Sequence, residues 1–448
     1  MPPMKKPELR SPAGSLKNMR YAFAYGADAV YAGQPRYSLR VRNNQFSKEE
    51  VLAQGIEEAH AAGKKFFLAS NIAPHNNKLK NYIRDLEPIV DMGPDALIMS
   101  DPGLIMMVRE SFPDMPIHLS VQSNVVNYAA VKFWQSMGLA RIILSRELSL
   151  KEVREIREQC PDMELEVFVH GALCIAYSGR CLLSGYMSHR DSNQGACTNT
   201  CRWKYNTYEA RETSTGDVAP IEFNPGEMPV ALLEEETRPG ELMPAYEDEH
   251  GTYIMNSRDL RAVQHVRELA EMGIDSLKIE GRTKSAYYTA RTAQVYRRAI
   301  DDAVAGREFD MEMMDELEGL SNRGYTEGFY RRHPPKDYQN YERGVSMSDR
   351  QQLVGEIADV GDEWLSIDVK NRFERGDLME LVLPSGNVTF SLDTLLDRNG
   401  NSTEVAPGSG HVVRIPLPEG TSAATINEFA MLVRYLPRGE PEASAAPA

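Results

Sequence analysis

Glu166-Val167-Phe168-Val169-His170-Gly171-Ala172-Leu173-Cys174 is an apolar run that ends abruptly in a histidine, a glycine and a thiol. Leu165–Val169 reads as a strand, since Val and Phe suit a pleated surface and a run this short does not suit a helix. Beyond it come Cys181 in Gly-Arg-Cys-Leu-Leu-Ser and then Cys197 and Cys201 in Gly-Ala-Cys-Thr-Asn-Thr-Cys-Arg-Trp. Four of the five cysteines fall in this window, with six, fifteen and three residues between them. Such grouping in a thiol-poor chain points to one shared task. Thiolates are soft ligands that suit zinc or an iron–sulfur cluster. A disulfide pair is the alternative.

Working toward the N-terminus, similar short runs alternate with helical patterns. A first run opens at Leu9 and ends in Ser11-Pro12-Ala13-Gly14. The next are Ala29–Gly33, Lys65–Ser70, Ala96–Ser100, Ile117–Val121 and Ile142–Ser145. Toward the C-terminus, Ser276–Glu280 supplies an eighth, followed by a helical pattern from Lys284 to Ala305. Ser15 is placed to cap a helix over Leu16–Tyr25 that stops at Gly26, and Ser47/Glu50 and Ser149/Glu152 have capping-box spacing. Eight strand–helix units predict parallel strands with helical crossovers, either a closed (β/α)8 barrel of TIM type or an open doubly wound sheet. No Gly-x-Gly-x-x-Gly follows the first run, and the count of eight favours the barrel.

At 448 residues the chain suggests two or three domains. Its net charge of -15 does not favour nucleic acid over the surface as a whole, although a local basic groove is compatible with it. The start carries charge but no apolar run, so no signal peptide is read, and no stretch approaches the ~20 apolar residues of a membrane span. A cytoplasmic, reducing setting follows, where disulfides are rare.

The barrel is expected over residues 1–333. An inserted flap over 202–257 holds Glu234-Glu235-Glu236 and Glu247-Asp248-Glu249, with small hairpins at Val230–Leu233 and Tyr253–Met255, and Asp259–Gly273 reads as a helix. A polar linker is read at 334–350. Short alternating runs over 351–438, split by Gly, Asn and Asp turns, predict a small all-β, barrel-like domain. The Pro/Ala/Ser-rich tail over 439–448 reads as disordered.

In such a barrel the loops after the strand ends build the active site. Asn71, Asp101, Gln122, Asn124, Arg146, His170, Glu280 and Arg282 all fall there. His170 and Glu280 are the candidate acid/base groups, His170 having a structural role as its alternative. Arg40, Arg42, Arg146 and Arg282 are the candidate grips for carboxylate or phosphate, because a guanidinium binds such groups bidentately. Asn71 and Gln122 are further substrate-binding candidates. A structural zinc site usually shows two close cysteine pairs, whereas only Cys197 and Cys201 are close here. The uneven spacing favours an iron–sulfur cluster, with zinc as the alternative. Gly171 and Gly179 would let backbone pass close to inorganic sulfide. Cys160, apart from the group, reads as a bystander. The chain has no His-Glu-x-x-His, no Gly-x-Ser-x-Gly and no phosphate-cradling Gly-x-x-x-x-Gly-Lys.

The run from Glu166 resembles the signature of the collagenase-like U-family peptidases: Glu-x-Phe-x-x-Gly-Ala-Leu-Cys, four residues, Gly-x-Cys, then a Ser three residues on. It fits at Glu166, Phe168, Gly171, Cys174, Gly179, Cys181 and Ser184. Glu8–Gly14, Asn256–Leu260, Lys278–Arg282 and Asn322–Phe329 also look like this family, and the resemblance spans nearly the whole chain. It implies a tRNA-modifying protein that hydroxylates the wobble uridine at ring carbon 5, with prephenate as co-substrate. It further implies a [4Fe–4S] cluster on Cys174, Cys181, Cys197 and Cys201, and contact with the tRNA anticodon loop. The two carboxylates of prephenate would give the rim arginines something to hold, and an electron donor or accessory protein is an expected partner. A collagenase-like peptidase and a non-catalytic scaffold with a structural metal are the rival readings.

Overall fold

The structure is a computed structural model. It describes residues 4–39, 44–173, 177–178, 180–181, 184, 190, 258–281, 284–322, 324–331 and 350–436, together with short strands between 210 and 252. The linker up to residue 349 and the tail beyond 436 lie outside the described residues, as do Arg40, Arg42, Arg282, Cys174, Gly179, Cys197 and Cys201.

Eight strands form the ring: β1 (Glu8–Pro12), β2 (Ala29–Gly33), β3 (Lys65–Ser70), β4 (Ala96–Met99), β5 (Ile117–Leu119), β6 (Arg141–Ile143), β7 (Glu164–Ala172) and β8 (Ser276–Ile279). Each is parallel to the next, and β8 pairs with both β7 and β1, which closes the barrel. Helices α1 (Leu16–Ala24), α2 (Glu49–Ala61), α3 (Asn76–Asp91), α4 (Pro102–Ser111), α5 (Tyr128–Ser136), α6 (Leu150–Gln159), α7 (Val266–Glu271) and α8 (Ala286–Val304) come between and after the strands. Ser15 caps α1 by accepting the Asn18 N–H, and Ser149 with Glu152 forms a full capping box at α6. Asp101 caps α4 through the Leu104 N–H, so this rim residue has a structural role.

Two local expectations need correction. Helix α2 starts after Lys48 without a side-chain cap, because Asn44 instead caps a short 3-10 turn that holds Ser47. The run from Asp259 is not helical at first. Asp259–Arg261 is a strand, antiparallel to the end of β7 and parallel to Tyr325–Thr326, and helix resumes only at Val263. Pairing with the end of β7 and with Tyr325–Thr326 outweighed the local helical pattern.

Register decides what fills the ring. Paired residues of parallel strands share a face, so Arg10, Lys278 and Phe168 point the same way, as do Tyr31 and Phe67, and as do His118 and Arg141. The interior therefore carries charge rather than the branched apolar layers usual in such barrels. Arg10 Nη1 lies 2.8 Å from Glu166 Oε2, and Lys278 Nζ lies 3.3 Å from Glu166 Oε1. Arg141 Nη1 lies 2.5 Å from Glu8 Oε1 and 3.3 Å from Glu166 Oε2. Arg10 Nη2 donates to His118 Nδ1 at 3.1 Å, and its guanidinium stacks 3.9 Å from the Phe67 ring centre.

Residues 351–435 form a separate antiparallel sheet ordered Val388–Ser391, Leu378–Val382, Met431–Tyr435, Gln351–Val360, Trp364–Val369, Val412–Pro416. It has its own core around Val354, Ile367, Phe373, Leu381 and Leu432. Buried Arg291 on α8 ties it to the barrel through Glu380 Oε2 at 2.5 Å, and Tyr25 donates to the Phe429 carbonyl at 2.9 Å. In the insertion, Ala231–Glu234 pairs antiparallel with Leu242–Ala245, a hairpin where one was expected. Tyr253–Met255 lies outside the described residues.

Candidate functional site at the barrel mouth

The C-terminal ends of the strands gather two sets of polar side chains. One set follows β6 and β8. Arg146 Nη1 donates to the Ala172 carbonyl at 2.8 Å, its guanidinium lies 4.0 Å from the Phe168 ring centre, and Nη2 reaches to 3.7 Å from Glu280 Oε2. Glu280 Oε1 accepts the Gly281 N–H at 3.2 Å, and Tyr31 O–H lies 3.4 Å from Oε2. Both Arg146 and Glu280 remain partly exposed. A carboxylate held this way can accept a proton or orient a polar group.

The second set follows β3, β4 and β5 and is uncharged. Asn71 Nδ2 donates to Gln122 Oε1 at 3.0 Å and to Ser120 Oγ at 3.3 Å, and Ser120 Oγ also contacts Gln122 Oε1. Ser100 Oγ donates to the Asn71 carbonyl at 3.2 Å, and Ser123 Oγ donates to the Ser100 carbonyl at 3.1 Å. Asn124 Nδ2 donates to the Gln122 carbonyl at 2.7 Å and to the Ser178 carbonyl at 3.2 Å. The Ser178 bond links the mouth to the segment between Cys174 and Cys181.

The structure thus brings Arg146 to Glu280 and Asn71 to Gln122, as one rim requires. His170 is different. Lys278 pairs with Phe168 but the next residue, Ile279, pairs with His170, so Val169 is an extra residue in the strand. Beyond this bulge the inward–outward alternation shifts by one. His170 packs outside the ring against Tyr288, Tyr296 and Tyr325 and is only 1% exposed. Burial, assisted by Lys284 and Arg261, pushes its pKa down to about 3. The geometry corresponds to the structural alternative, not to a rim acid/base. Gly171 has φ +106°, and a Cβ there would meet the Glu280 carbonyl, with the carbonyl carbon 2.9 Å away. The close approach this glycine allows is to the backbone of Glu280.

Of the four grouped cysteines only Cys181 falls among the described residues, where it is half-buried. No group of three or more metal-ligating side chains occurs among the described residues. Cys160 closes α6, buried, with its Sγ 3.7 Å from the Tyr128 carbonyl, and burial pushes its thiol pKa up. Sequence reading passed over three contributors. Tyr31 reaches Glu280 from β2, and Phe168 is the platform under Arg146. Gln34, after β2, is fully buried, and neither terminal side-chain atom has a partner among the described residues. Position at an inward strand register is the signal that marks Tyr31 and Phe168.

Comparison with known proteins gives a consistent picture. Residues 14–340 match the family model for peptidase family U32, and residues 349–427 match that for the peptidase family U32 C-terminal domain. The chain is 62% identical to the tRNA hydroxylation protein P of Escherichia coli, over 96% of this chain and 97% of that one. It is 58% identical to the tRNA hydroxylation protein P of Haemophilus influenzae, over 96% of each. A solved structure of the U32 peptidase Mk0906 aligns at 13% identity with a TM-score of 0.37, covering 61% of this chain and 93% of that one.

Proposed function

Since the chain belongs to peptidase family U32, we propose that it is a tRNA-modifying protein required for 5-hydroxylation of the wobble uridine. Prephenate is the co-substrate in this reading, and Cys174, Cys181, Cys197 and Cys201 hold a [4Fe–4S] cluster. One observation carries the tRNA assignment: 62% identity, nearly end to end, with an Escherichia coli protein named for tRNA hydroxylation. An electron donor or accessory protein in the cytoplasm completes the proposal.

The donor set suits the cluster, since four thiolates are its usual ligands. Two anchors support the site. Asn124 holds the Ser178 carbonyl, between Cys174 and Cys181, and Ser184 Oγ donates to the Arg190 carbonyl at 2.6 Å beyond Cys181. When bound, a cluster of this kind supplies electron transfer. The chain's own residues do the rest. Arg146, braced on Phe168, offers a guanidinium to a carboxylate of prephenate, with Arg40, Arg42 and Arg282 as further cations. Glu280, fixed by Gly281 N–H and Tyr31 O–H, holds or takes up a proton at the mouth. The uncharged set around Asn71 and Gln122 offers hydrogen bonds to a base that has been splayed out of its loop. With a net charge of -15, binding to RNA depends on local contacts and weakens as salt rises.

The test is genetic and chemical. Cys174→Ala and Cys181→Ala, expressed in a strain lacking the gene, should each fail to restore 5-hydroxyuridine to tRNA nucleosides. Restoration to wild-type levels would refute the cluster reading. Anaerobically purified protein should carry iron and acid-labile sulfide, about four of each per chain. Zinc alone would remove the cluster and leave the tRNA assignment standing.

A further inference from the structure

Two amides at the mouth have orientations set by backbone groups that can only donate or only accept. The Leu39 N–H donates to Asn71 Oδ1 at 3.2 Å, so the other terminal atom of Asn71 is nitrogen. That nitrogen donates to Gln122 at 3.0 Å, which identifies the receiving atom as Oε1. Gln122 Nε2 is then a donor with no hydrogen-bond partner among the described residues. Asn124 is the complement. Its nitrogen donates to two carbonyls, of Gln122 and Ser178, so both amide hydrogens are used. Its Oδ1 is buried and unpartnered among the described residues. Asn124 also sits at φ +52°, the left-handed conformation that asparagine adopts more readily than other side chains, and closes the 3-10 turn Val121–Ser123. A buried acceptor without a donor is costly, and a ligand N–H offsets that cost.

We propose that Gln122 Nε2 and Asn124 Oδ1 form the edge that reads the substrate base, a donor for a ring carbonyl beside an acceptor for a ring imide N–H. This rests on the tRNA uridine reading and deepens it. Uracil presents that pair, a carbonyl oxygen next to N3–H. Cytosine presents an acceptor at N3, which would face the Asn124 lone pair and be rejected. Held by its imide edge, a uracil turns its C5–C6 edge away from the two amides, free for reaction. Asn71 and Ser120 act as positioning residues, since they fix which end of Gln122 faces outward.

The decisive probe leaves the protein unaltered. Anaerobically purified full-length chain is titrated with anticodon stem-loop RNAs that differ only at the wobble position: uridine, 3-methyluridine or cytidine. Methylation removes the N3 donor and puts a methyl group in its place, whereas cytidine replaces the donor by an acceptor without added bulk at N3. Both altered RNAs should bind roughly ten- to a hundredfold more weakly than the uridine RNA, the range of a good base-edge contact. Asn124→Gly keeps the left-handed backbone while removing the acceptor. The variant also gives up both amide donations of Asn124, so it is compared with wild type at equal iron and sulfide content; there its preference for uridine over 3-methyluridine should collapse toward one. In the strain lacking the gene, it should also restore less 5-hydroxyuridine than wild type. Equal behaviour of the uridine and 3-methyluridine RNAs, or full restoration by Asn124→Gly, overturns the base-reading assignment while the tRNA reading stands. Failure of the wild-type gene itself to restore the nucleoside would sink both.

Discussion

Glu166→Gln tests what holds the barrel interior together. Glu166 is fully buried, within 3.3 Å of Arg10, Arg141 and Lys278. Among the described residues two other carboxylates contact these cations: Glu8 pairs with Arg10, Arg141 and the half-exposed Lys65, and the half-exposed Glu164 pairs with Arg141. The substitution keeps shape and volume but removes the one fully buried carboxylate that Arg10, Arg141 and Lys278 share, leaving Glu8 and the half-exposed Glu164 at the rim of the set. Breaking a buried ion pair from one side typically costs ~3–5 kcal/mol, a third or more of an ordinary domain's stability of ~5–15 kcal/mol. Every described α-helix lies before residue 350, so the helical circular dichroism signal reports the barrel and not the β domain. Urea titration on that signal should show the midpoint falling by about 1 M or more with little change in slope. Adding Lys278→Met should return part of the loss, with a coupling of ~0.5–3 kcal/mol, because one stranded cation is then gone. A loss below ~1 kcal/mol, the level of an average surface-to-core substitution, would mean that the charges are not mutually compensating and would refute the argument.

Two further predictions concern pH and the close approach behind Glu280. His170, pushed down to about 3 by burial with Lys284 and Arg261 adding to it, and His118, also lowered by burial and by Arg10, are held neutral in the folded chain. As pH falls below ~6.5 the unfolded chain takes up those protons first, so stability declines from there toward pH 3. Burial raises Glu8, but Arg10, Arg141 and Lys65 outweigh it and bring its pKa to about 2, so a further loss runs from pH ~4.5 downward. His170→Phe should shallow the decline below pH 6.5 and still restore 5-hydroxyuridine in the strain lacking the gene. An unchanged pH–midpoint curve, or a folded but inactive variant, would contradict the placement of His170. Gly171→Ala, at φ +106° against the Glu280 carbonyl, should lose ~1–3 kcal/mol and lower hydroxyuridine yield by moving Glu280. Gly273→Ala, at φ +77° where an added Cβ would lie 4.0 Å from Arg157 Cδ, serves as the control for backbone strain alone and should leave the yield unchanged.

Much of this architecture was legible because parallel barrel strands, buried on both faces, leave near-continuous apolar runs that turns and helix caps punctuate. Ser15, Ser149 and Glu152 announced their helices by local hydrogen-bonding chemistry, and the structure uses those same bonds. What composition could not supply was register. Arg10 in Glu-Leu-Arg-Ser-Pro and Lys278 in Ser-Leu-Lys-Ile-Glu read as interruptions of apolar strands. Only pairing across β1, β7 and β8 turns them toward Glu166 and makes one network. Asn71 and Gln122 were legible as rim residues, but not the backbone N–H of Leu39 that decides which way both amides face.

The bulge at Val169 shows why a strand-end residue is not thereby a site residue. Without it, His170 would continue the inward series of Glu166 and Phe168 and stand at the mouth beside Glu280. With it, the ring turns outward into a tyrosine-lined pocket under α8. The same irregularity brings Gly171 against Glu280, and the Glu280 N–H donates to the His170 carbonyl at 2.8 Å. The signature Glu-x-Phe-x-x-Gly therefore combines three structural tasks. Glu166 neutralises the interior cations, Phe168 carries Arg146, and Gly171 seats the carboxylate-bearing end of β8. None of the three needs to touch substrate. Each fixes a neighbour that faces the mouth, so a motif found at the cysteine stretch is chiefly a prescription for the geometry of Arg146 and Glu280.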